Sequence, residues 1–171
     1  KAVGIALAPD GGVYVTGTSV QGSYSDFAIV KYTANGAEAW SQTVNGSGNA
    51  EDTPTAIGVD PSGAVYVTGR SATAPPPGGR YNYLTVKFSS TGSQVWSKVY
   101  TGANQGAQAT GLVVGSAGVY VTGKVTRGTN TDFGTVAYNL NTGDTLWARF
   151  FNSPANKNDE PAFITLDPLG R

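Results

Sequence analysis

The five-residue sequence VYVTG occurs three times in this chain, beginning at Val13, Val65 and Val119. This repetition restricts the fold more than any local propensity, because a sequence unit that returns at a regular spacing indicates a repeated structural unit. The turn before each copy carries a glycine at 11, 63 and 118, with another at 170, and the spacings are 52, 55 and 52. The sequence therefore consists of repeats with a period of about 52 residues.

Further landmarks return in the same order within each repeat. The segments DFAIVKY, NYLTVKF and DFGTVAY follow the VYVTG copies, and a glycine precedes each tryptophan by four residues. Alternation and turn signals predict four short strands per repeat, in the second repeat at 55–59, 65–69, 83–88 and 94–100. Four strands in a unit of this length are typical of a β-propeller blade.

We therefore predict an all-β protein, a β-propeller with about three four-stranded antiparallel blades and the first strand of a fourth. The predicted blades cover about 1–47, 53–101 and 108–151, and the fourth begins at about 161–171. High glycine content (24 residues) and low charge (13%) agree with a fold of strands and turns. Propellers usually have four to eight blades, so we expect further blades from a longer chain, or a second copy, to complete the ring. The absence of methionine and of a leader also predicts that the chain begins inside a longer gene product.

The second repeat resembles a known family. VDPSGAVYVTGRS, followed by YNYLTVKFSSTGSQVWSKVY, resembles the SBBP repeat of bacterial β-propellers, although the third repeat has Gly115 in place of Asp60 and Ala137 in place of Lys87. The resemblance implies a secreted or cell-surface bacterial module, extracellular or periplasmic, that is a non-catalytic scaffold or binds a carbohydrate or protein ligand.

A shorter likeness keeps an enzyme as the alternative. LNTGDTLW is similar to the tryptophan motif of quinoprotein dehydrogenase propellers. The chain would then be part of a quinoprotein-like oxidoreductase, or of a propeller glycosidase or lyase, with its active centre in blades outside this sequence.

Composition excludes several kinds of chemistry. Basic and acidic residues balance at 11 each, so we expect no nucleic-acid partner. The sequence has no cysteine and no histidine, which removes thiolate chemistry, the commonest general base and the commonest metal ligand. No apolar run approaches the roughly 20 residues that span a bilayer. We therefore predict no catalytic residue, metal site, cofactor or membrane span.

Ligand contacts are expected on one face of the blades. Loops that join the second and third strands, and loops between blades, are longer and more varied than the others, and such loops commonly carry function. Tyr24, Arg80 and Tyr81 lie in these loops, and tyrosine and arginine are favoured at binding surfaces. The alternative is that these side chains pack against an adjacent blade.

Two aligned aspartates precede first strands on the same face. Asp52 and Asp159 each lie five residues before an isoleucine, and Ala107 takes this place in the third repeat. We consider them ligand-binding candidates, and a carboxylate pair could in principle serve glycoside hydrolysis. The alternative, which the alanine favours, is an acid that caps its loop or pairs with a nearby basic residue.

The remaining recurring residues have structural explanations. One tyrosine and one tryptophan per repeat are predicted to form the core, namely Tyr14, Tyr66, Tyr120, Trp40, Trp96 and Trp147. Asp60 and Asp167 open DPSG and DPLG, where aspartate, proline and glycine suit a turn. Lys31 and Lys87 occupy the third strand, and each is expected to lay its stem on an aromatic ring and to reach a carboxylate or solvent.

Overall fold

The computed structural model describes residues 1–102 and 106–167, with the side chain of residue 21 outside the description. Twelve strands and no helix occur in this part of the chain, so no helix there is long and apolar enough to cross a membrane. The strands are β1 (Ala2–Leu7), β2 (Val13–Gln21), β3 (Tyr24–Tyr32), β4 (Glu38–Val44), β5 (Asp52–Val59), β6 (Val65–Ala72), β7 (Tyr81–Phe88), β8 (Gln94–Tyr100), β9 (Ala107–Val114), β10 (Val119–Arg127), β11 (Asn130–Tyr138) and β12 (Thr145–Phe151).

The strands form three separate four-stranded antiparallel sheets, each built from consecutive strands. Sheet 1 contains β1 to β4, sheet 2 contains β5 to β8 and sheet 3 contains β9 to β12. Each VYVTG sequence begins the second strand of its sheet, which pairs on both sides. The predictions of an all-β fold and of four antiparallel strands per repeat are confirmed.

The strands extend further than the sequence indicated. Segments 18–26 and 124–132, predicted as long loops, belong mostly to hairpins whose pairing continues to Gln21↔Tyr24 and Arg127↔Asn130. Gly22 closes the first hairpin with a φ of 91°, which glycine adopts without strain. The threonines, serines and asparagines of these strand ends resemble loop composition, and this concealed the pairing. Among these hairpins, only that of sheet 2 has a long loop, at 73–80.

The segment predicted to begin a fourth blade does not form a strand. Residues 161–167 join no hydrogen-bonded ladder, and residues 168–171 lie outside the described part of the chain. The segment nevertheless packs on sheet 3, where a Cβ on Gly111 would lie 3.2 Å from Cγ2 of Ile164. Side-chain packing and a hydrogen bond from the Thr110 hydroxyl to the Pro161 carbonyl oxygen at 3.4 Å, rather than strand pairing, therefore hold it.

Each sheet packs against the next through the first strand of the later sheet. Ile57 of β5 lies directly over Gly4 of sheet 1, and Leu112 of β9 lies over Gly58 of sheet 2. Two clusters of buried side chains fill these contacts, and Tyr14 and Tyr66 within them have no exposed surface. We call the contact between sheets 1 and 2 junction 1/2, and the contact between sheets 2 and 3 junction 2/3.

One tryptophan and one buried lysine cross each of these junctions. The indole Nε1 of Trp40 donates to the carbonyl oxygen of Ser90, and that of Trp96 donates to the carbonyl oxygen of Leu140, at 3.1 and 3.2 Å. Lys87 Nζ donates to the same Leu140 carbonyl at 2.8 Å and lies 5.1 Å from the centre of the Tyr66 ring. Lys31 follows the same pattern and also pairs with Asp10 at 2.6 Å.

The outer faces of the array differ from the junctions. Trp147, expected in the core, is 37% exposed because no further sheet covers it in the described part of the chain. Tyr120 is half-buried beside Trp147, and both line an apolar cavity of about 270 Å³ that Ile164 partly covers. At the other end of the array, three apolar side chains of β1 are exposed by 41%, 69% and 77%, namely Val3, Ile5 and Leu7.

Candidate functional site: the long-loop end of the junctions

The hairpins β2–β3, β6–β7 and β10–β11 lie beside the loops that connect the sheets. The Ser25 hydroxyl donates to the carbonyl oxygen of Asp52 at 3.2 Å, the Thr126 N–H donates to Gly106 at 2.9 Å, and the Asp159 N–H donates to Thr131 at 2.7 Å. These bonds tie the first hairpin to the connection between sheets 1 and 2, and the third hairpin to the chain segments that precede and follow sheet 3. We call this side of the array the long-loop end, and it carries all five predicted ligand-binding residues.

A cleft of about 260 Å³ opens at the long-loop end of junction 2/3. Arg80 and Tyr81 of sheet 2 line one side, and Lys124, Thr126 and Thr131 of sheet 3 line the other. The structure therefore brings two of the predicted residues into one cleft and adds Lys124, which the sequence did not single out.

The Tyr81 ring is fixed by a charged pair behind it. The Arg70 guanidinium lies 4.7 Å from the ring centre, and the Tyr81 hydroxyl donates to Glu51 Oε2 at 3.3 Å. Burial opposes the charge of Glu51, but hydrogen bonds from Arg70, Thr53 and Tyr81 lower the pKa of this carboxyl below its ordinary value. Burial first, and then the Glu51 charge, raise the pKa of Tyr81, so its hydroxyl stays protonated as a donor.

Arg80 and Lys124 give the cleft a cationic rim. The exposed Arg80 begins the return from loop 73–80, where its N–H donates to the Thr73 hydroxyl at 3.0 Å. Lys124 pairs with Glu160 at 3.1 Å, and both side chains are partly exposed. An exposed ion pair of this kind contributes little to stability and can exchange for another anion.

A second cavity, of about 220 Å³, lies at the long-loop end of junction 1/2. Tyr24, Ser23 and Asp26 of sheet 1 line it together with Asn45 and Asn49 of the connecting loop. Tyr24 is half-buried at the start of β3. This lining is polar and has no basic side chain, in contrast to the cleft at junction 2/3.

The loop at junction 1/2 has a defined internal hydrogen-bond pattern. Asn45 Nδ2 donates to Asn49 Oδ1 at 2.7 Å, the Asn49 N–H donates to the Gly46 carbonyl at 3.2 Å, and Gly46 N–H donates to Asp52 Oδ2. Asn49 has a φ of 50°, a left-handed conformation that asparagine tolerates. The carboxylate of Asp52 thus closes the loop.

Residues 152–159 repeat this arrangement. Asn152 Nδ2 donates to Asn156 Oδ1 at 2.9 Å, and the Ser153 N–H donates to Asp159 Oδ2 at 2.7 Å. Asn156 has a φ of 49°. Both loops follow the spacing N-x3-N-x2-D, a signal that the sequence analysis missed. The connection at junction 2/3 lacks the motif, because it is one residue shorter and begins with Thr101 and ends with Ala107.

The two aspartates of the motif differ in their access to solvent. Asp52 has no exposed surface, whereas Asp159 is half-buried. Burial raises the pKa of Asp52, against the opposing contributions of the Ser71 hydroxyl and the Gly46 and Ala72 N–H groups. Asp52 Oδ1 nevertheless has no partner in full hydrogen-bond geometry. Both acids act within their loops, and their contact with an external ligand stays a prediction.

A second pair of aligned acids accompanies these loops and was also missed. Asp26 of β3 and Asp132 of β11 occupy the same register position, and both are buried. Arg127 lies 3.6 Å from Asp132. For Asp26, burial and then the nearby Asp52 charge raise the pKa above its ordinary value.

The described residues contain no group of three or more acids that could hold a metal ion. The cleft and the cavity at the long-loop end are lined mainly by polar and charged residues. Comparison with known proteins adds no further constraint, since neither a protein-family model nor a curated protein matches this chain.

Proposed function

We propose that this chain is a segment of a secreted bacterial β-propeller of the SBBP type, and that it acts as a non-catalytic carbohydrate-binding scaffold. The observation that carries the proposal is the cleft at junction 2/3, where Arg80, Tyr81 and Lys124 converge from two sheets. A small cleft with an aromatic wall, hydroxyls and a few oriented polar groups is the usual form of a small-ligand site.

The proposed ligand is a sugar unit that carries a carboxylate. Arg80 and Lys124 supply positive charge, Thr126 and Thr131 carry hydroxyls, and the aromatic Tyr81 lines the cleft beside them. The Thr131 hydroxyl is buried and makes no hydrogen bond within the described residues, so a ligand hydroxyl would satisfy it. Guanidinium groups bind carboxylates through paired hydrogen bonds, which favours an acidic sugar over a neutral one.

Binding of the chain to immobilised acidic and neutral polysaccharides tests this function. We expect retention on the acidic polymer, and Arg80→Gln should weaken it at least tenfold, as expected for loss of a charged hydrogen bond. Lys98→Gln is the matched control, because Lys98 pairs with Asp144 outside the cleft. Equal binding by the two variants, or none by the unsubstituted chain, would contradict the proposal. Release of shortened sugars would instead favour an enzyme.

We further propose that the sheets are propeller blades and that β1 accepts another blade of the same kind. Val3, Ile5 and Leu7 of β1 are exposed. Ile5 and Leu7 have the same register in sheet 1 as Ile57 and Val59 have in sheet 2, where these two side chains face sheet 1. The exposed Trp147 is equivalent to Trp40 and Trp96, which each contact the next sheet. The two outer faces are thus the two halves of one junction.

Light scattering behind a sizing column tests whether a second copy supplies that blade. A mass near twice 17.5 kDa is expected if two chains complete each other. Ile5→Glu should return the dimer to the monomer mass, because it places a charge in the apolar contact. A monomer without substitution would exclude the second copy and leave further blades of a longer chain as the partner.

A further inference from the structure

Asp26 is the most unusual acid in the described chain. It is 7% exposed, and no hydrogen bond or ion pair among the described residues involves its carboxylate. Asp26 is one of the residues that line the cavity at junction 1/2. A buried charge without a partner is costly, so such a group normally has a counter-charge or becomes neutral. Something outside the described chain is therefore expected to compensate it.

In sheet 3, the equivalent acid Asp132 is compensated by a cation of the same hairpin. Asp132 is 2% exposed and has the Arg127 guanidinium 3.6 Å away. Arg127 is the last paired residue of β10, opposite Asn130. The last paired residue of β2 is Gln21, opposite Tyr24. Gln21 therefore occupies in sheet 1 the strand position that Arg127 occupies in sheet 3, which we call the arginine position. The two hairpins have the same acid, but only one has the cation.

The aspartate at the end of the N-x3-N-x2-D loop adds a second carboxyl near each of these buried acids. Asp26 is next to Ser25, whose hydroxyl holds the carbonyl of Asp52 at 3.2 Å, so the Asp26 and Asp52 carboxyls belong to one junction. Junction 2/3 has Asn82 and Ala107 at these positions and carries neither acid. Sheet 3 and the segment after it again carry both, as Asp132 and Asp159. Only junction 1/2 combines two acids with a neutral residue at the arginine position.

The cavity offers oxygen ligands for a cation. Besides Asp26, its lining includes Ser23, Asn45 and Asn49, whose side chains carry hydroxyl and amide oxygens, and the cavity is open to solvent. The Asn45 amide uses its nitrogen to bind Asn49, which leaves the Asn45 oxygen available. Carboxylate, amide and hydroxyl oxygens with several waters suit Ca²⁺, which accepts six to eight oxygens in irregular geometry, better than Mg²⁺, which requires a strict octahedron.

We propose that the cavity at junction 1/2 binds a calcium ion, with Asp26 as its charged ligand and the Asn45 and Asn49 amides among its neutral ones. The ion takes the part that Arg127 plays beside Asp132. Because few charged ligands contribute, the site belongs with the weaker calcium sites, with Kd on the order of 0.1 to 1 mM. It joins the first hairpin to the loop that leads into sheet 2.

Calorimetric titration of chelator-treated protein with CaCl₂ tests the site, with thermal unfolding in parallel. We expect saturable binding of one ion and a Tm that increases with calcium over about 0.1 to 10 mM, because a ligand that binds only the folded state stabilises it. Mg²⁺ at the same concentrations should produce a smaller increase. Absence of saturable binding, or an equal response to both ions, would overturn the proposal.

Two variants separate the site from general effects of salt. Asp26→Asn should abolish calcium binding and leave the fold intact, since asparagine occupies the same position as Asn82 in sheet 2. Gln21→Arg should also abolish it, because this substitution recreates the arginine of sheet 3 without removing a carboxylate. Asp132→Asn, at the arginine-paired site, should retain calcium binding. Retained binding in the first two variants, or loss in the third, would place the ion elsewhere and overturn the assignment.

The outcome is independent of the proposed carbohydrate function. The two cavities lie at different junctions and share no lining residue. Loss of calcium binding in Asp26→Asn with retained sugar binding separates the two sites.

Discussion

The indole nitrogen of Trp40 in sheet 1 donates to the carbonyl oxygen of Ser90 in sheet 2 at 3.1 Å. Trp96 makes the same bond to Leu140 of sheet 3. Trp147 has no described sheet to receive it and is 37% exposed. The tryptophan that returns in each repeat is therefore a docking residue, and its contribution depends on the presence of the next sheet.

Replacement of the docking tryptophan should have position-dependent effects. We expect Trp96→Phe to lower the free energy of unfolding by about 1 to 3 kcal/mol, through the lost hydrogen bond and the space left in the junction. Trp147→Phe should lower it by less than about 1 kcal/mol, because that side chain is partly exposed. Urea unfolding monitored by circular dichroism measures both. Equal losses would show that the tryptophan stabilises its own sheet rather than the junction.

The glycine beneath each docking tryptophan permits a matched comparison. Gly92 has a φ of 88°, and a Cβ there would lie 2.8 Å from Cδ2 of Trp40. Gly36 has a φ of 85° with nothing within 4 Å of the same position. Gly36→Ala should therefore cost only the backbone strain, about 1 to 2 kcal/mol, and Gly92→Ala should cost more. The difference between their urea midpoints isolates the contact with Trp40, and identical midpoints would contradict it.

Lys87 should stabilise junction 2/3 through its bond to a backbone carbonyl. Lys87→Met preserves most of the apolar stem over Tyr66 but removes the donor to Leu140, and we expect a loss of about 1 to 3 kcal/mol. Lys98→Met removes an exposed pair with Asp144 and should leave stability unchanged. Thermal unfolding of the two variants measures whether Lys87→Met loses more stability than Lys98→Met. Lys98 and Asp144 also belong to different sheets, so a similar decrease in both would show that the buried bond to Leu140 contributes no more than an exposed ion pair across the same junction.

Asp60 predicts a specific pH dependence. Burial opposes its charge, but hydrogen bonds from Ser62, Tyr66 and Ala64 lower the pKa of Asp60 below its ordinary value of 3.8. A lowered folded pKa stabilises the protein above the ordinary value, and this stabilisation is lost as pH falls through the folded pKa. Asp60→Asn should therefore cost about 1 to 2 kcal/mol at pH 7, mainly through the Tyr66 hydroxyl.

The difference between the wild-type chain and Asp60→Asn should narrow as the pH falls below about 4, because the wild-type carboxyl then becomes protonated. Urea unfolding at pH 7, 4 and 2.5 provides the comparison. A difference that is constant over this range would show that the carboxylate charge makes no contribution.

The repeated architecture could be predicted because its signals are local. Alternation, the VYVTG strand and the turn glycines predicted residues 94–100 with the bounds that the structure gives to β8 (Gln94–Tyr100). The strand ends at Gln21 and Arg127 were missed, because their continued pairing depends on a partner strand rather than on apolar alternation.

The candidate site was predictable only in part, because its residues come from different repeats. Arg80 and Tyr81 were identified from loop composition, but Lys124 reaches their cleft from the next sheet. In the sequence, Asp26 looks like an ordinary polar residue of a strand. Only the structure shows that it lies beside the loop that ends at Asp52. The N-x3-N-x2-D spacing was visible in the sequence, yet its hydrogen bonds gave it meaning only in the structure.

The acceptor for each docking tryptophan is a main-chain carbonyl, provided by Ser90 in one sheet and by Leu140 in another. Every residue type presents that group, so the receiving turn can change its side chains without loss of the contact, provided that the glycine after it is kept. When such units are duplicated or exchanged, this hydrogen bond therefore requires no compensating substitution, whereas the packed side chains around it have to match. Sequence differences among the repeats can then concentrate at the long-loop end, where the loops and the cavities already differ from one junction to the next.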